Sequence, residues 1–496
     1  AERVAHTSGG VFFLRIEDTD KKREVENGVS GLVNGLKAFG IEFDEGMISE
    51  TEEIGAYGPY TQSQRKEIYQ VFCKELVQKG LAYPCFCTAE ELDAIRKKQE
   101  ENKENPGYYG KYAKCRDLTY EEIEEKVKAG TPYVLRLRSP GSADRRISFL
   151  DGVKGKIEMP ENDIDVVLLK TDGIPTYHFA HAVDDFLMGT TDVIRGDEWI
   201  SSAPVHLQLF DVLGFPAPRY AHISPIMKED AETGGKRKLS KRKDPEAAVD
   251  YYHEVGYPKE SVLEYLLTIA NSNYEEWRRD NPALSREEFP FSLSHMSKAG
   301  ALFDLAKLND ISKIYIATLD ANTVYDAVYT WAKQYRPDFA EELSSDSGYA
   351  HRIFAIERGN EKPRKDIAKW EDTVDYIDYF YRRPENPDFP ENLSDADMIE
   401  ILETYKTIYR ADDSQEDWFP RIREMSESLG YAKAPKIYKK DPDSYKGHVG
   451  DVSTVIRAAA TGRRNTPDLY QILQVLGEEE TQARFDSAIN LLKARG

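Results

Sequence analysis

The β-strand signals of this chain are confined to its first half. Residues 11–16 form a short apolar run that ends in the acidic turn EDTD at residues 17–20, as expected of a buried strand. Residues 166–169 and 192–196 give two further strand signals, each followed by a turn. After Asp244 no strong strand signal remains. The pattern predicts an α/β first half and an all-helical second half.

The helical tail ends in an amphipathic stripe. Its apolar residues recur at the i, i+3, i+4, i+7 spacing of a core-facing helix: Phe485, Ala488, Ile489 and Leu492. A chain of 496 residues is too long for one core, and its length predicts about three or four domains. Residues 84–160 combine a charged helical stretch with a Gly/Tyr/Lys-rich loop. This change of texture predicts a domain inserted into the α/β part.

The composition excludes several classes of protein. No uninterrupted run of about 18 apolar residues occurs, so we expect no membrane span, and we find no secretory signal. Four cysteines in so long a chain do not make a disulfide framework, so we expect a cytoplasmic protein. The net charge of -21 argues against a nucleic-acid-coating protein, although one face could carry a local basic track.

A basic octapeptide interrupts this acidic chain at residues 236–243 (KRKLSKRK), directly after Gly234-Gly235. The glycine pair predicts a mobile loop. A dense cationic loop in an acidic protein indicates local contact with a polyanion, for which a nucleoside triphosphate is a natural candidate. The alternatives are a solvated basic loop and a short nucleic-acid or targeting patch.

Two further clusters carry chemistry. The acidic turn at residues 17–20 could bind an amine, a sugar hydroxyl or Mg²⁺ through water, or could simply cap a helix. Tyr177 and His181 precede Arg195 and Trp199, and an arginine at a strand end can hold a carboxylate bidentately. The aromatic residues can wall an adenine or an amino acid. The alternative is that they are core residues and that Arg195 pairs with Asp197.

Cys85, Cys87 and Cys115 predict a metal site. Structural zinc sites use four ligands, and cysteine thiolates are common among them. Cys73 falls on an apolar helical face and is predicted to be a core residue. The fourth ligand is therefore open between Tyr109, Tyr112 and water, and three ordinary thiols are the alternative to zinc.

In this order the motifs make the chain resemble bacterial-type glutamyl-tRNA synthetases of class I. The motifs are FFLRIEDTDKKRE (12–24), YTQSQRKEIY (60–69), DGIPTYHFAHAVDD (172–185), VIRGDEWISSAP (193–204), KLSKR (238–242) and, more loosely, TGRRNTPDLYQILQVLG (461–477). The resemblance implies a Rossmann-type α/β catalytic domain with an inserted α+β domain, followed by all-α C-terminal domains. The expected parts are a first catalytic part, an acceptor-stem-binding insertion, a second catalytic part with the KLSKR loop, a stem-contact helical region and an anticodon-binding domain: 1–75, 76–162, 163–245, 246–325 and 326–496.

The resemblance also implies the reaction. Glutamate and ATP, with Mg²⁺, would give glutamyl-adenylate and pyrophosphate, and the glutamyl group would pass to tRNA(Glu). By motif position, Glu17 would hold the α-amino group of glutamate. The remaining substrate pocket would comprise Tyr177, His181, Arg195 and Trp199, with Arg195 on a substrate carboxylate.

The ATP site is implied in the same way. Glu198 would lie against ATP, and Lys238, Leu239, Ser240 and Lys241 would bind its phosphates. The two lysines would neutralise the triphosphate as charge shifts to the leaving pyrophosphate. No side chain acts as a nucleophile in this scheme, so catalysis is positioning and charge.

The chain departs from the family pattern in three places. The N-terminal strand with its His-Ile-Gly-His signature is absent, so we expect the sequence to be truncated within the first helix and to lack part of the active site. His181 stands where the family more often has Asn, and its charge can change near neutral pH. The cysteine pattern also lacks an evident fourth ligand.

The partners implied are glutamate, ATP and tRNA(Glu), with tRNA(Gln) left open, and the protein is expected to be a monomer. Candidates for contact with the anticodon, by charge alone, are Arg352, Arg358, Arg382 and Arg383, although paired surface arginines are the alternative. A non-catalytic tRNA-binding paralogue on the same scaffold is the competing function.

Overall fold

The computed structural model describes residues 1–19, 27–230 and 232–495. Asp20, the last residue of the acidic turn, and the KKRE end of the first family motif lie outside the described residues. The chain divides into two compact units. The first comprises Ala1–Ala247 and Leu263–Asp304, and the second comprises Ala248–Val262 and Leu305–Gly496.

All strands in the described part of the chain belong to the first unit. They are β1 (Phe13–Leu14), β2 (Glu45–Met47), β3 (Glu53–Ile54), β4 (Ala82–Cys85), β5 (Val134–Leu137), β6 (Arg146–Asp151), β7 (Gly155–Pro160), β8 (Val167–Leu169), β9 (Asp192–Gly196), β10 (Arg219–Ile223), β11 (Met227–Glu229) and β12 (Lys236–Lys238).

Two of the strand pairs are parallel. β1 pairs with β2 and β9 pairs with β10, and β3 continues the first pair in the antiparallel sense. The other strands form the antiparallel sheet β4-β5-β8 and the hairpins β6-β7 and β11-β12. The parallel pairs matter for function, because open α/β sheets bind ligands beyond the carboxyl ends of parallel strands.

Helices cover these strands. The helices up to the end of the first unit are α1 (Glu2–Thr7), α2 (Gly28–Ala38), α3 (Lys66–Gln78), α4 (Ala89–Glu101), α5 (Tyr120–Lys128), α6 (Tyr177–Leu187), α7 (Ala203–Leu213), α8 (Val249–Val255), α9 (Lys259–Ala270) and α10 (Tyr274–Asp280). Of these, α8 belongs to the second unit, and the boundary between the units falls within α9.

The main core of the first unit joins α3, α6 and α7 to the β4-β5-β8 sheet. Cys73 is buried in it, as predicted, together with Leu137, Leu168 and Phe179. Helix α6 buries residues on all its faces, so its first turn is held firmly. A rigid α6 gives the functional residues that it carries fixed positions.

Comparison with the expected elements is mixed. Strand β9 coincides with residues 192–196 as predicted. Strand β1 is only two residues long, and Ile16, further along the predicted run, forms an isolated bridge to Thr61. The expectation that the whole basic octapeptide is a loop is wrong. Lys236–Lys238 forms β12, because backbone pairing with β11 orders it irrespective of its charge.

The described part of the second unit contains helices and no strand, which confirms the all-helical prediction. Its remaining helices are α11 (Leu305–Thr318), α12 (Ala321–Tyr335), α13 (Pro337–Ser345), α14 (Ser347–Ala355), α15 (Asp372–Tyr376), α16 (Asp378–Tyr381), α17 (Asp395–Ile408), α18 (Gln415–Ser428), α19 (Pro435–Tyr438), α20 (Val449–Thr461), α21 (Leu469–Leu476) and α22 (Glu478–Arg495).

Helix α22 is central to this unit. Its predicted stripe is buried against α17 and α20. The buried Arg484 donates hydrogen bonds to the carbonyls of Tyr379 (2.6 Å) and Ala460 (2.7 Å), near the ends of α16 and α20. It thus supplies donors to carbonyls that helix ends leave unpaired. Within the described residues, no helix is long and apolar enough to span a bilayer.

Candidate active site

Four of the predicted site residues line one cleft in the first unit. The cleft has a volume of about 550 Å³, and its walls include strands β1 and β9. Glu17, Tyr177, His181 and Arg195 all line it. A cleft of this size suits a small molecule with a few polar contacts. The sequence prediction that these four residues lie together is therefore consistent with the structure.

Local structure fixes two of these side chains on one helix face. Tyr177 opens α6, and His181 follows one turn later, so the two rings lie over one another. The ring centroids are 5.8 Å apart and the ring planes are nearly parallel. Burial raises the pKa of Tyr177 to about 12, so its hydroxyl is protonated at neutral pH.

Arg195 has its guanidinium held by imidazoles rather than by carboxylates. Its Nε donates to Nε2 of His222 at 3.0 Å, and its Nη1 donates to Nδ1 of His206 at 2.9 Å. Its Nη2 is buried and has no hydrogen-bond partner. No carboxylate among the described residues pairs with this guanidinium, and a buried donor without a partner favours an anionic ligand.

The imidazoles continue as a chain. Nε2 of His206 lies 2.7 Å from Nδ1 of His178, and Nδ1 of His222 lies 2.6 Å from the carboxylate of Asp151. Burial lowers the pKa of all three histidines, strongly for His206, where the positive charge of Arg195 acts in the same direction. The chain is therefore neutral at physiological pH.

His181 is fixed by a second set of partners. Its Nε2 lies 3.0 Å from the hydroxyl of Tyr220, and its Nδ1 lies 2.8 Å from Asp185. Asp185 also accepts from Arg15 at 2.8 Å, and Arg15 in turn donates to Glu17 at 3.0 Å. Glu17 thus lies in the cleft with its carboxylate held by a neighbouring cation.

Trp199 lies beside this cleft rather than among its lining residues. Its ring is 4.7 Å from that of Tyr177, and the Arg195 guanidinium lies 5.8 Å from it. The alternative that Arg195 pairs with Asp197 is wrong, because Asp197 accepts from Lys154 at 3.0 Å and Ser224 at 2.7 Å. The exposed Glu198 has its carboxylate so close to Gly196 that a Cβ there would clash.

The basic segment does not contribute to the lining of this cleft. Lys238 ends β12, and Leu239, Ser240 and Lys241 follow it. Asp244 is buried and accepts two hydrogen bonds from Arg237, at 2.6 and 2.7 Å, and one from the backbone of Ser240 at 2.9 Å. The two lysines are exposed and form no ion pair with the described residues.

The three predicted metal ligands lie together. The sulfur atoms of Cys85, Cys87 and Cys115 are all within 4.8 Å of one another. Tyr108 completes the group, with its hydroxyl 3.3 Å from the Cys87 sulfur and accepting from the Cys115 amide at 3.0 Å. A hydrogen bond from Cys115 lowers the pKa of Cys85 to about 4. These donors suit a soft metal ion.

Comparison with known proteins gives matches over nearly the whole chain. The model for class I tRNA synthetases (E and Q), catalytic domain, matches residues 3–310. A glutamate–tRNA ligase of Clostridium beijerinckii is 52% identical over 99% of this chain and 90% of its own length. One of Acetivibrio thermocellus is 47% identical over 98% of this chain and 88% of its own length.

The chain belongs to the glutamate–tRNA ligase family.

Solved structures of this family agree with the assignment. A crystal structure of a glutamate tRNA ligase from Elizabethkingia meningosepticum in complex with its amino acid is 28% identical, with a TM-score of 0.77, and the match covers 99% of this chain and 95% of that one. The fold is thus that of class I tRNA synthetases, which confirms the Rossmann-type prediction and the helical C-terminal region. Residues 443–489 match an anticodon binding domain.

Family membership also confirms that the protein is an enzyme, a class I aminoacyl-tRNA synthetase, rather than a non-catalytic paralogue. The bounds of the five parts expected from the sequence remain a prediction. Strands β4 and β5 of the expected insertion share a sheet with β8, which lies outside it.

Several polar residues around Arg195 were missed at the sequence level. His206 lies within the apolar run of α7, His222 within β10, and Asp151 at the end of β6. The available signal is a histidine on an otherwise apolar, buried face, since such a side chain needs a polar partner. Arg15 offered a similar signal, since it interrupts the apolar run of residues 11–16, whereas Tyr108 is one of three tyrosines within residues 108–112 and offered none.

Proposed function

We propose that this enzyme joins glutamate to tRNA in two steps. A carboxylate oxygen of glutamate attacks the α-phosphorus of ATP, the bond between the α- and β-phosphates breaks, and pyrophosphate leaves. A hydroxyl of the terminal tRNA ribose then attacks the carbonyl carbon, and AMP leaves. The observation that carries this proposal is Arg195, which lines the cleft, has a buried Nη2 without a hydrogen-bond partner and pairs with no carboxylate among the described residues.

Glutamate is recognised by complementary charges. Arg195 holds a substrate carboxylate, because its guanidinium has an N–H donor without a partner and pairs with no carboxylate among the described residues. Glu17 holds the α-amino group with its exposed carboxylate edge. Tyr177, His181 and Trp199 wall the pocket and limit its width. Positioning of the reacting carboxylate against ATP then supplies much of the rate enhancement.

The basic segment acts on ATP, which enters with Mg²⁺. Lys238 and Lys241 neutralise the charge that develops on the leaving pyrophosphate, and Leu239 and Ser240 lie between them in the ATP site. Glu198 lies against the nucleotide. The two lysines are available for this role because they are exposed and form no ion pair with the rest of the described chain.

The test of this scheme is Lys241→Ala, with Lys243→Ala as the matched control on the same loop. Glutamate-dependent ATP–pyrophosphate exchange, measured with tRNA present, should fall by about 100-fold in the first variant and stay near wild type in the second. The affinity for tRNA should change little in both. Equal losses of exchange and of tRNA affinity would show that the segment serves RNA instead.

The cysteine cluster holds structural zinc in this proposal, with Cys85, Cys87, Cys115 and Tyr108 as its ligands. A tetrahedral Zn–S site places sulfur atoms about 3.8 Å apart, and the Cys87 and Cys115 sulfurs are separated by 3.7 Å. Tyr109 and Tyr112 have other partners. The Tyr109 hydroxyl donates to the carbonyl of Asn105, and that of Tyr112 bonds to Glu104.

The second unit binds tRNA(Glu), and the enzyme acts as a monomer. Three of the four candidate arginines for anticodon contact have partners within the chain. Arg358 donates to the carbonyl of Ile316, Arg382 pairs with Glu342, and Arg383 pairs with Glu480. Arg352 lies over a tyrosine ring and forms no ion pair among the described residues. It is the best placed of the four to meet an RNA base, including in tRNA(Gln).

A further inference from the structure

The hydrogen-bond chain around Arg195 has a direction that chemistry alone dictates. A guanidinium can only donate hydrogen bonds. Nε2 of His222 and Nδ1 of His206, which receive its N–H groups, must therefore carry lone pairs. Each of these neutral rings then has its proton on the other nitrogen. His222 donates from Nδ1 to Asp151, and His206 donates from Nε2 to His178.

Asp151 is the group that sets this direction on the His222 side. Its carboxylate is fully buried and accepts from Nδ1 of His222 at 2.6 Å. It also accepts from the backbone amides of Val153 and Lys154, at 2.9 and 2.8 Å, and from the amide of His222. The charge is therefore fixed at the end of β6, 71 residues from the histidine that it orients.

We infer that Asp151 and His222 are positioning residues for glutamate, which lock the tautomer of His222 and the guanidinium plane with which Arg195 meets a substrate carboxylate. This inference rests on the proposed role of Arg195. Nε2 of His222 accepts from the Nε–H of Arg195, so the guanidinium cannot rotate without losing a buried hydrogen-bond acceptor. Both side chains are fully buried, so they act on the substrate through Arg195.

The nearly isosteric substitution Asp151→Asn tests the tautomer directly. The amide oxygen keeps the contacts with the amides of Val153 and Lys154, so the turn after β6 is retained. The new NH₂ group faces Nδ1 of His222 and forces the proton to Nε2, where it meets the Nε–H of Arg195. Donor then faces donor. We expect kcat/KM for glutamate to fall by about tenfold or more, through KM, with KM for ATP within about twofold of wild type.

His222 variants separate positioning from folding. In His222→Gln the amide oxygen occupies the place of Nε2 and accepts from Arg195 whatever residue 151 carries. The double variant D151N/H222Q should therefore recover most of the loss seen in D151N. In His222→Asn the amide reaches only the place of Nδ1, so this variant should resemble D151N. Glu158→Gln, on the exposed face of the same hairpin, is the matched control.

Arg195→Gln distinguishes failure of this inference from failure of the proposed function. If R195Q raises KM for glutamate while D151N and H222N leave it within about twofold, the inference is overturned and the role of Arg195 stands. If R195Q itself has no effect, the role of Arg195 is overturned and the inference with it. A D151N defect that raises both KM values, lowers the Tm and is not recovered by H222Q would show a structural role and would also overturn the inference.

Discussion

His206 couples the stability of the fold to pH. Burial lowers its pKa from the ordinary value of 6.5, and its neutral form is the one that accepts from Arg195. Below about pH 6.5 the unfolded chain takes up a proton that the folded protein does not, so the free energy of unfolding falls as the pH falls. Above that pH this contribution is fully present.

His206→Asn keeps an acceptor near the place of Nδ1 but removes the titrating ring. Urea unfolding near pH 8 and pH 5 should show a smaller loss of stability on acidification in H206N than in the wild type. An identical loss in both proteins would show that His206 is not held neutral in the fold. The other histidines serve as the constant background in this comparison.

At the scale of elements, the buried carboxylate of Asp244 fixes the shape of the β11-β12 hairpin and of the residues that follow it. Asp244 binds Arg237 bidentately and also accepts from the backbone of Ser240, so it ties the middle of the KLSKR segment to Arg237 of β12. In the proposed scheme the segment acts through exposed lysines, so its shape matters as much as its charge. The Asp244 clamp is therefore predicted to serve ATP use rather than glutamate binding.

Asp244→Asn weakens the clamp and leaves every lysine in place. We expect KM for ATP to rise by about tenfold, from the loss of charge-assisted hydrogen bonds, with KM for glutamate unchanged. Steady-state kinetics with each substrate varied in turn measure both. Asp230→Asn, which removes a weaker contact of Arg237 at 3.3 Å, is the control. A D244N enzyme with wild-type KM for ATP would contradict this account of the hairpin.

The cysteine cluster brings β4 together with the loop after Tyr108. Zinc would link these two segments, which are separated in the sequence. Metal analysis of the purified protein should give about one zinc per chain, and a chelator should lower the Tm. Tyr108→Phe should weaken zinc retention about 10- to 100-fold, whereas Tyr109→Phe should not. A zinc content near zero would leave Cys85, Cys87 and Cys115 as ordinary thiols.

At the scale of the whole molecule, the sequence predicted what periodicity controls. Strand β9, the all-helical second unit and the buried stripe of α22 follow from local patterns of apolar residues. The grouping of Glu17, Tyr177 and Arg195 followed from family motifs. Long-range pairing was beyond reach. β12 exists only because β11 lies beside it, and the bond between Asp151 and His222 joins residues from separate elements.

The most direct test of the central claim is charging of purified tRNA(Glu) with labelled glutamate by the full-length enzyme. The account predicts ATP-dependent attachment of glutamate to tRNA(Glu). It also predicts that Arg195→Gln abolishes charging while tRNA affinity is retained. Tight tRNA binding without glutamate transfer, or undiminished charging by R195Q, would contradict it.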